Sequence, residues 1–456
     1  MMRLILLKIL HKGNTMKKSL FFIFYCGLVS CSSLAPVIPN PNTQIPVTWG
    51  DKVQNNIDRL NWKQLFPYSP ILTDIDLSLK FNKDILKSSL LAIKAHQLIG
   101  TIKGYTSSSA SLNGLYSGPI NDCCIYTNNA FGLLDLTFDI DLWGRINSSV
   151  NSISAQADAS SIEIEDVQNA IIVEVIRSHL IIARLNEYQK IVNNMEVILN
   201  SLENQSRLRT DAGLPNSSDL SRVLLKKSDL QSIKTQIEQQ RYNAINALNI
   251  LTSYQRKEGN YIESIDGIIP TELSIPKNIS STILLNRTDV RIASKKIESA
   301  NYDIGVAKTN RLPQISIPFN IIFGSHKTLW EVLPSISQVL FDGGKLKSIE
   351  DATIVQRDIT IVEYEITVQK AFRDVANGIS NTELMSKKIS ILDESTKISR
   401  QAFDRSLARN KAGYESLSDV IDRYEELFKA LSQYNDAKYE RINNVISLFA
   451  AIGTGF

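Results

Sequence analysis

Cysteine is scarce, at four residues in 456. Two of the four, Cys123 and Cys124, are adjacent, and neighbouring cysteines do not reach ordinary bridge geometry without strain. They read as free thiols or as a distorted vicinal disulfide, not as a disulfide framework, and no Cys/His spacing matches a zinc site. Histidine is equally sparse: His11, His96, His179 and His326 are scattered. No serine nucleophile elbow and no phosphate loop accompanies them, and Gly453-Thr454-Gly455 is followed by no helix. With no catalytic constellation, no cofactor motif and no metal motif, the chain does not read as an enzyme. Charge of one sign is missing too. The formal charge of +3 misleads, because Arg3, Lys8, Lys12, Lys17 and Lys18 fall in the first thirty residues, where there is no acid. The other 45 basic residues face 47 acidic ones, a balance of −2 that asks for no nucleic acid. Proline and glycine are both absent from residues 145–208, which leaves nothing to interrupt a very long helix.

What is present begins with an export signal. Lys17 and Lys18 form a basic start, residues 20–25 an apolar core too short to span a membrane, and Leu28-Val29-Ser30-Cys31 a small-residue cleavage site. Residues 28–31 resemble the bacterial lipobox, in which the cysteine is acylated; the alternative is an ordinary signal in which Cys31 is incidental. Acylation would add about 0.8 kcal/mol per buried methylene to membrane binding. Ser32 and Ser33, with no Asp after the cysteine, resemble lipoproteins sorted to the outer membrane. Met16 is a second possible start, and residues 32–42, rich in Ser and Pro, read as an extended tether.

The chain is a duplication. At an offset of 200 residues Arg409, Ala412, Gly413 and Asp419 fall on Arg209, Ala212, Gly213 and Asp219, and Arg441, Asn443 and Leu448 fall on Arg241, Asn243 and Leu248. Upstream, Asp289, Ile304 and Gly305 meet Asp84, Ile99 and Gly100 at an offset of 205. Two copies are too few for a solenoid. The resulting division is a signal peptide at 1–30, a lipid-anchored tether at 31–60, a first repeat at 61–253, an irregular segment at 254–284 and a second repeat at 285–456.

Each repeat changes period along its length. Helical spacing over 81–104 is expected to end at Gly104. From 106 the period becomes two, and Leu134, Leu136, Phe138, Ile140 and Leu142 alternate with Asp135, Thr137, Asp139 and Asp141, a greasy face opposite a row of carboxylates. The second repeat has the same pattern at Ile315, Ile317, Phe319, Ile321 and Phe323, then at Trp330, Val332, Ile336 and Leu340. Between the strand pairs come helices with coiled-coil spacing: Ile181, Leu185, Tyr188, Val192, Met195, Leu199 and Leu202 in one, Leu417, Val420, Tyr424, Leu427, Leu431 and Tyr434 in the other. Some 64 residues of helix at about 1.5 Å each give a rod of roughly 95 Å. Gly213 and Gly413 suit left-handed turns, and Ser218 and Ser418 are expected to cap the helices that follow.

Four amphipathic strands suit a tilted crossing of a hydrocarbon layer roughly 30 Å thick, but four cannot close. An open strand edge in lipid leaves backbone groups unpaired at several kcal/mol each, so the chain must oligomerise if these strands span a membrane. Tyr116, Phe131, Trp143, Phe323, Trp330 and Phe341 lie near strand ends, where an aromatic girdle belongs; the alternative is that they are ordinary core aromatics.

Residues 138–145, Phe-Asp-Ile-Asp-Leu-Trp-Gly-Arg, resemble the strand-to-helix junction of TolC-like outer-membrane efflux proteins. Residues 286–290 with 304–307 and 312–315, the second junction at 340–344, and the turn at 412–422 are similar as well. With the lipobox the chain resembles the lipoprotein branch that serves drug-efflux pumps. The resemblance implies a membrane protein of mixed α and β structure: a homotrimer with a twelve-stranded barrel and an α-helical periplasmic tunnel. It further implies partners in a periplasmic adaptor (membrane fusion) protein, an inner-membrane transporter and outer-membrane lipid, and an exit duct for small molecules. It also implies that Asp419, Asp422 and Asp219 line and narrow the tunnel's mouth. Glu415 and Asn410 stand where some members carry an arginine and a tyrosine that tie the closed mouth, so that latch is not carried over. The same tube serving type I protein secretion, and a lipid-anchored periplasmic coiled-coil scaffold without membrane strands, are the rival readings.

Overall fold

The computed structural model describes residues 34–39, 41, 62, 66–107, 109–117, 129–213, 217–254, 281–323 and 328–453. Cys31, Cys123, Cys124 and residues 255–280 of the irregular segment at 254–284 lie outside them, and 281–284 of that segment belong to a 3-10 turn. In chain order the elements are α1 (Ser69–Phe81), α2 (Lys83–Ser107), β1 (Ser109–Ser117), β2 (Asn129–Ile140), α3 (Arg145–Asp211), α4 (Ser217–Thr252), a 3-10 turn (Ser281–Asn286), α5 (Thr288–Thr309), β3 (Gln314–Phe323), β4 (Thr328–Val332), β5 (Ser335–Ser337), α6 (Lys345–Lys411) and α7 (Leu417–Ile452). They form two compact units, and each unit draws on both repeats.

One unit, built around 90–161 and 292–365, holds a single antiparallel sheet in the order β1-β2-β3-β4, with β5 also on β3. Register puts Leu136 opposite Phe319, Phe138 opposite Ile317 and Ile321 opposite Trp330. Because directly opposed residues share a face, Leu134, Leu136, Phe138, Ile315, Ile317, Phe319, Ile321 and Trp330 make one continuous apolar surface. Asp135 opposes Ser111 and Asn320, and Asn320 opposes Glu331, on the other face. The α3 start is tied to α5 in the same unit: Ser152 Oγ donates to Asp303 Oδ1 at 2.6 Å, and Lys295 pairs with Asp158 at 3.1 Å.

The second unit carries the coiled-coil seams. Leu185, Val192, Met195, Leu199 and Leu202 of α3 and Leu417, Val420, Tyr424 and Leu427 of α7 are all buried in one cluster, while Ile181, Tyr188 and Leu431 pack against it half-buried. At about 1.5–3 kcal/mol for each buried side chain of this size, the seam is what holds helices of this length together. A second cluster gathers Trp62 and Phe66, stacked with centroids 6.3 Å apart, with Ile71, Ile75, Ile172, Ile176 and Phe449.

Several sequence expectations are corrected. The helix does not end at Gly104 but runs through it to Ser107; the break comes earlier, at Asn82. The Asn82 side chain accepts from the backbone N–H of Asp84 at 2.8 Å and donates to Leu251 O at 2.9 Å, which caps α2 and pins it to the end of α4. Strand β2 stops at Ile140, so Asp141 and Leu142 leave the sheet; Asp141 instead accepts from the N–H groups of Ile146 and Asn147, opening α3. Asp342 does the same for Gly344 and Leu346 at the start of α6, and those bonds hold its carboxyl below the usual range. The fourth strand breaks at Leu333-Pro334, since proline cannot donate to a ladder, and Leu340 and Phe341 lie beyond it. Of the girdle residues, Phe323 ends β3, Trp330 lies within β4 and Trp143 follows β2, donating from Nε1 to Pro313 O at 2.7 Å. The side chains of Tyr116 and Phe131 lie outside the described residues.

Helix α6 approaches α7 closely at Gly378, where a Cβ would sit 2.9 Å from Leu448 Cδ1 and 3.2 Å from Leu448 Cα. Backbone cannot swing aside, so Gly378→Ala is expected to cost about 1–3 kcal/mol of packing, less the roughly 0.5–1 kcal/mol that Ala gains in a helix. Gly104→Ala has open space around it and should gain that increment outright. Thermal unfolding of the detergent-solubilised protein checks the pair: opposite shifts are expected, and equal shifts would show that α6 and α7 do not meet there.

Candidate functional site

The two helical hairpins turn in the second compact unit, and both turns use a left-handed glycine: Gly213 at φ 76° and Gly413 at φ 82°. Asn410, fully buried, joins the two tips. Its Oδ1 accepts from Gln205 Nε2 at 2.9 Å, and its Nδ2 donates to Glu415 O at 2.8 Å. Glu415 is also paired with Arg409 at 3.4 Å. Of the two positions that depart from the family's latch, Asn410 links the tips within one protomer, and Glu415 is bonded to Asn410 and Arg409 of its own turn.

Helix α7 opens with a reciprocal cap. Ser416 Oγ accepts from the Asp419 N–H at 3.1 Å, and Asp419 Oδ2 accepts from the Ser416 N–H at 3.2 Å. Ser416, not Ser418, is the cap; Ser218 likewise sits inside the first turn of α4, which starts at Ser217. Hydrogen bonds from Ser416 hold the exposed Asp419 carboxyl below the usual range, so the cap is intact at neutral pH and is lost only as pH falls through that lowered value.

Asp422, exposed one turn further on, accepts from Arg222 Nη2 at 2.9 Å, and Arg222 also donates to Ser418 Oγ. Below it Lys226 pairs with Glu425 at 2.8 Å, which raises the lysine's pKa chiefly through that hydrogen bond. Among the ion pairs of the described residues, Asp422 takes part and Asp219 and Asp419 do not; Asp219 is half-buried in the first turn of α4. The structure thus brings Asp422 to Arg222 and keeps Asp419 within its own cap. Arg222 and Lys226 are residues that sequence reasoning missed. The signal was the repeat: 222 and 422 are equivalent positions, so a salt bridge between them requires that the copies diverge to opposite charges.

An apolar sheet face on one unit and two coiled-coil hairpins with charged tips on the other define the protomer of a β-barrel channel with helical tips. The family model described as outer membrane efflux protein matches residues 279–454, which hold the second repeat. The chain is similar to outer-membrane efflux proteins along most of its length. It is 25% identical over 425 residues to the solvent efflux pump outer membrane protein SrpC of Pseudomonas putida, covering 86% of this chain and 87% of that one. Identity with the cation efflux system protein CusC of Escherichia coli K12 is 24%, covering 96% and 99% of the two chains. The Campylobacter jejuni CmeC outer membrane channel superposes with a TM-score of 0.84 at 20% identity, over 93% of this chain and 95% of that one.

Proposed function

We propose that three copies of this chain close into a twelve-stranded barrel in the outer membrane, continue as a helical tunnel into the periplasm, and act as the passive exit duct of a tripartite efflux system for small molecules. The observation that carries this is the sheet. Its apolar face is continuous across four strand positions, and its edges, β1 on one side and β4 with β5 on the other, have no further strand partner among the described residues. Lipid tolerates such edges only when they pair, and copies of the same sheet supply the partner. A coiled-coil scaffold would have no use for the sheet. The partners on this reading are a periplasmic adaptor and an inner-membrane transporter that supplies the energy. Cys31, acylated, anchors the N-terminus; Asp419, Asp422 and Asp219 ring the periplasmic mouth, where crowded carboxylates hold cations and resist anions. The similar proteins named above include a solvent efflux pump component and a cation efflux component, so the cargo is set by the partner pump.

Deleting the gene in its native host tests this. Raised susceptibility to drugs, solvents or metals, restored by the full chain, is the expected result. Loss of a secreted protein with unchanged susceptibility would replace efflux by secretion, and recovery of the mature protein as a detergent-free soluble monomer would end the channel reading.

A further inference from the structure

The residues that follow the anchor region do not leave the body as a loose leash. Residues 34–39 and Pro41 lie along α5. Asn301, only 4% exposed, donates from Nδ2 to Pro36 O at 2.6 Å. One turn later comes Gly305, where a Cβ would stand 3.1 Å from Ala35 N, 3.3 Å from Ala35 Cβ and 2.8 Å from Ser148 Oγ. The backbone of Ala35 therefore occupies the space that any larger residue at 305 would fill. Ile38 and Pro41 then roof a cavity of about 450 Å³ over Ile297, Tyr302 and Tyr364. Ala35 and Pro36 are half-buried against the helix, and Val37, 92% exposed, points away.

The duplication supplies an internal control. At the offset of 205, Asn301, Tyr302 and Gly305 align with His96, Gln97 and Gly100. The first repeat has kept the glycine, yet nothing lies within 4 Å of a Cβ built at Gly100. The amide and the aromatic ring that meet the strap belong to the second repeat alone. A glycine conserved only for the helix would not explain that difference between the copies.

We propose that residues 34–39 are a strap seated in a receptor made by Asn301 and Gly305, and that this seating fixes where the N-terminus emerges from the protein. Cys31 is four residues upstream of Ala35. Extended chain spans at most about 3.3–3.6 Å per residue, so the strap confines the cysteine to within about 14 Å of chain from the receptor. An anchor held this way orients the body on the membrane, where a free leash of thirty residues would not. The seating itself does not depend on acylation or on the efflux reading.

The test is a distance measurement by pulsed electron paramagnetic resonance on the full mature chain in detergent, with Cys123 and Cys124 replaced by serine and nitroxides at Val37→Cys and at the exposed Lys296→Cys. With labelled chains diluted into unlabelled ones, one narrow intraprotomer distance distribution is expected. Asn301→Leu and Gly305→Val should each broaden it several-fold, while Gly100→Val in the first repeat leaves it narrow. Asn301→Leu adds no bulk beside Ser148, so it reports on seating even where Gly305→Val fails to fold. A broad distribution in the parent protein, or a narrow one that survives Asn301→Leu, overturns the proposal.

Discussion

Asp422→Ala is expected to raise single-channel conductance in planar bilayers several-fold and to weaken cation preference, and Arg222→Ala to raise conductance while leaving cation preference in place. Both remove the 2.9 Å bridge between α4 and α7, but only the first removes a carboxylate. The bridge is 41% exposed on one side and 59% on the other, so each copy contributes about 0.2–1 kcal/mol and is screened by salt. One such pair cannot hold a mouth closed. Three copies, each backed by Lys226 and Glu425, together reach the few kcal/mol over which a two-state equilibrium moves from mostly shut to mostly open. Asp419→Ala is the more ambiguous change, since it also dismantles the cap on α7 at a cost of about 0.5–2 kcal/mol; the double variant with Asp422→Ala should conduct most and melt lowest. Unchanged conductance in both Arg222→Ala and Asp422→Ala would remove this pair from the gate, whatever the fate of the barrel.

The features that the sequence made legible are those governed by period. Leu185, Val192, Met195, Leu199 and Leu202 were readable because a seam repeats every 3.5 residues, and all five are buried. The strand faces were readable because parity admits only two answers: Leu136 with Phe319, or Asp135 with Asn320. Gly213 and Gly413 were readable because a left-handed turn after a long helix favours glycine. What escaped depended on one tertiary contact. Gly104 looked like a stop, yet a single helical glycine costs only about 0.5–1 kcal/mol, and Asn82 imposed the break by reaching a carbonyl 169 residues away. Asp141 continued the alternation perfectly and still left the strand, because two first-turn N–H groups of α3 bind its carboxylate. At the tips the family's acidic positions were legible but their partner was not. Arg222 becomes visible only when the two repeats are overlaid and seen to differ in sign.

Leu136→Arg and Asp135→Arg should have opposite fates, though they are neighbours. Leu136 lies on the apolar face between Ala110 on one side and Phe319 on the other. An arginine facing lipid near the midplane costs about 2–4 kcal/mol per copy, falling to about 0–1 near an interface. Three copies in one barrel multiply that to roughly 6–12 kcal/mol, as large as the whole stability of a typical folded domain. Asp135 looks the other way, towards Ser111 and Asn320, and its loss removes a hydrogen bond from Thr137 Oγ1 at 3.2 Å in a wet setting, worth about 0.5–1.5 kcal/mol. Leu136→Arg should therefore be missing from the outer membrane as a heat-modifiable oligomer, while Asp135→Arg assembles and changes only the selectivity of its pore. Because the strand period is two, the contrast between adjacent positions reports an apolar medium on one side of the sheet and water on the other, and loss of the heat-modifiable oligomer from the membrane ties that medium to lipid. Equal recovery of the two variants would place both faces in the same solvent and leave no barrel.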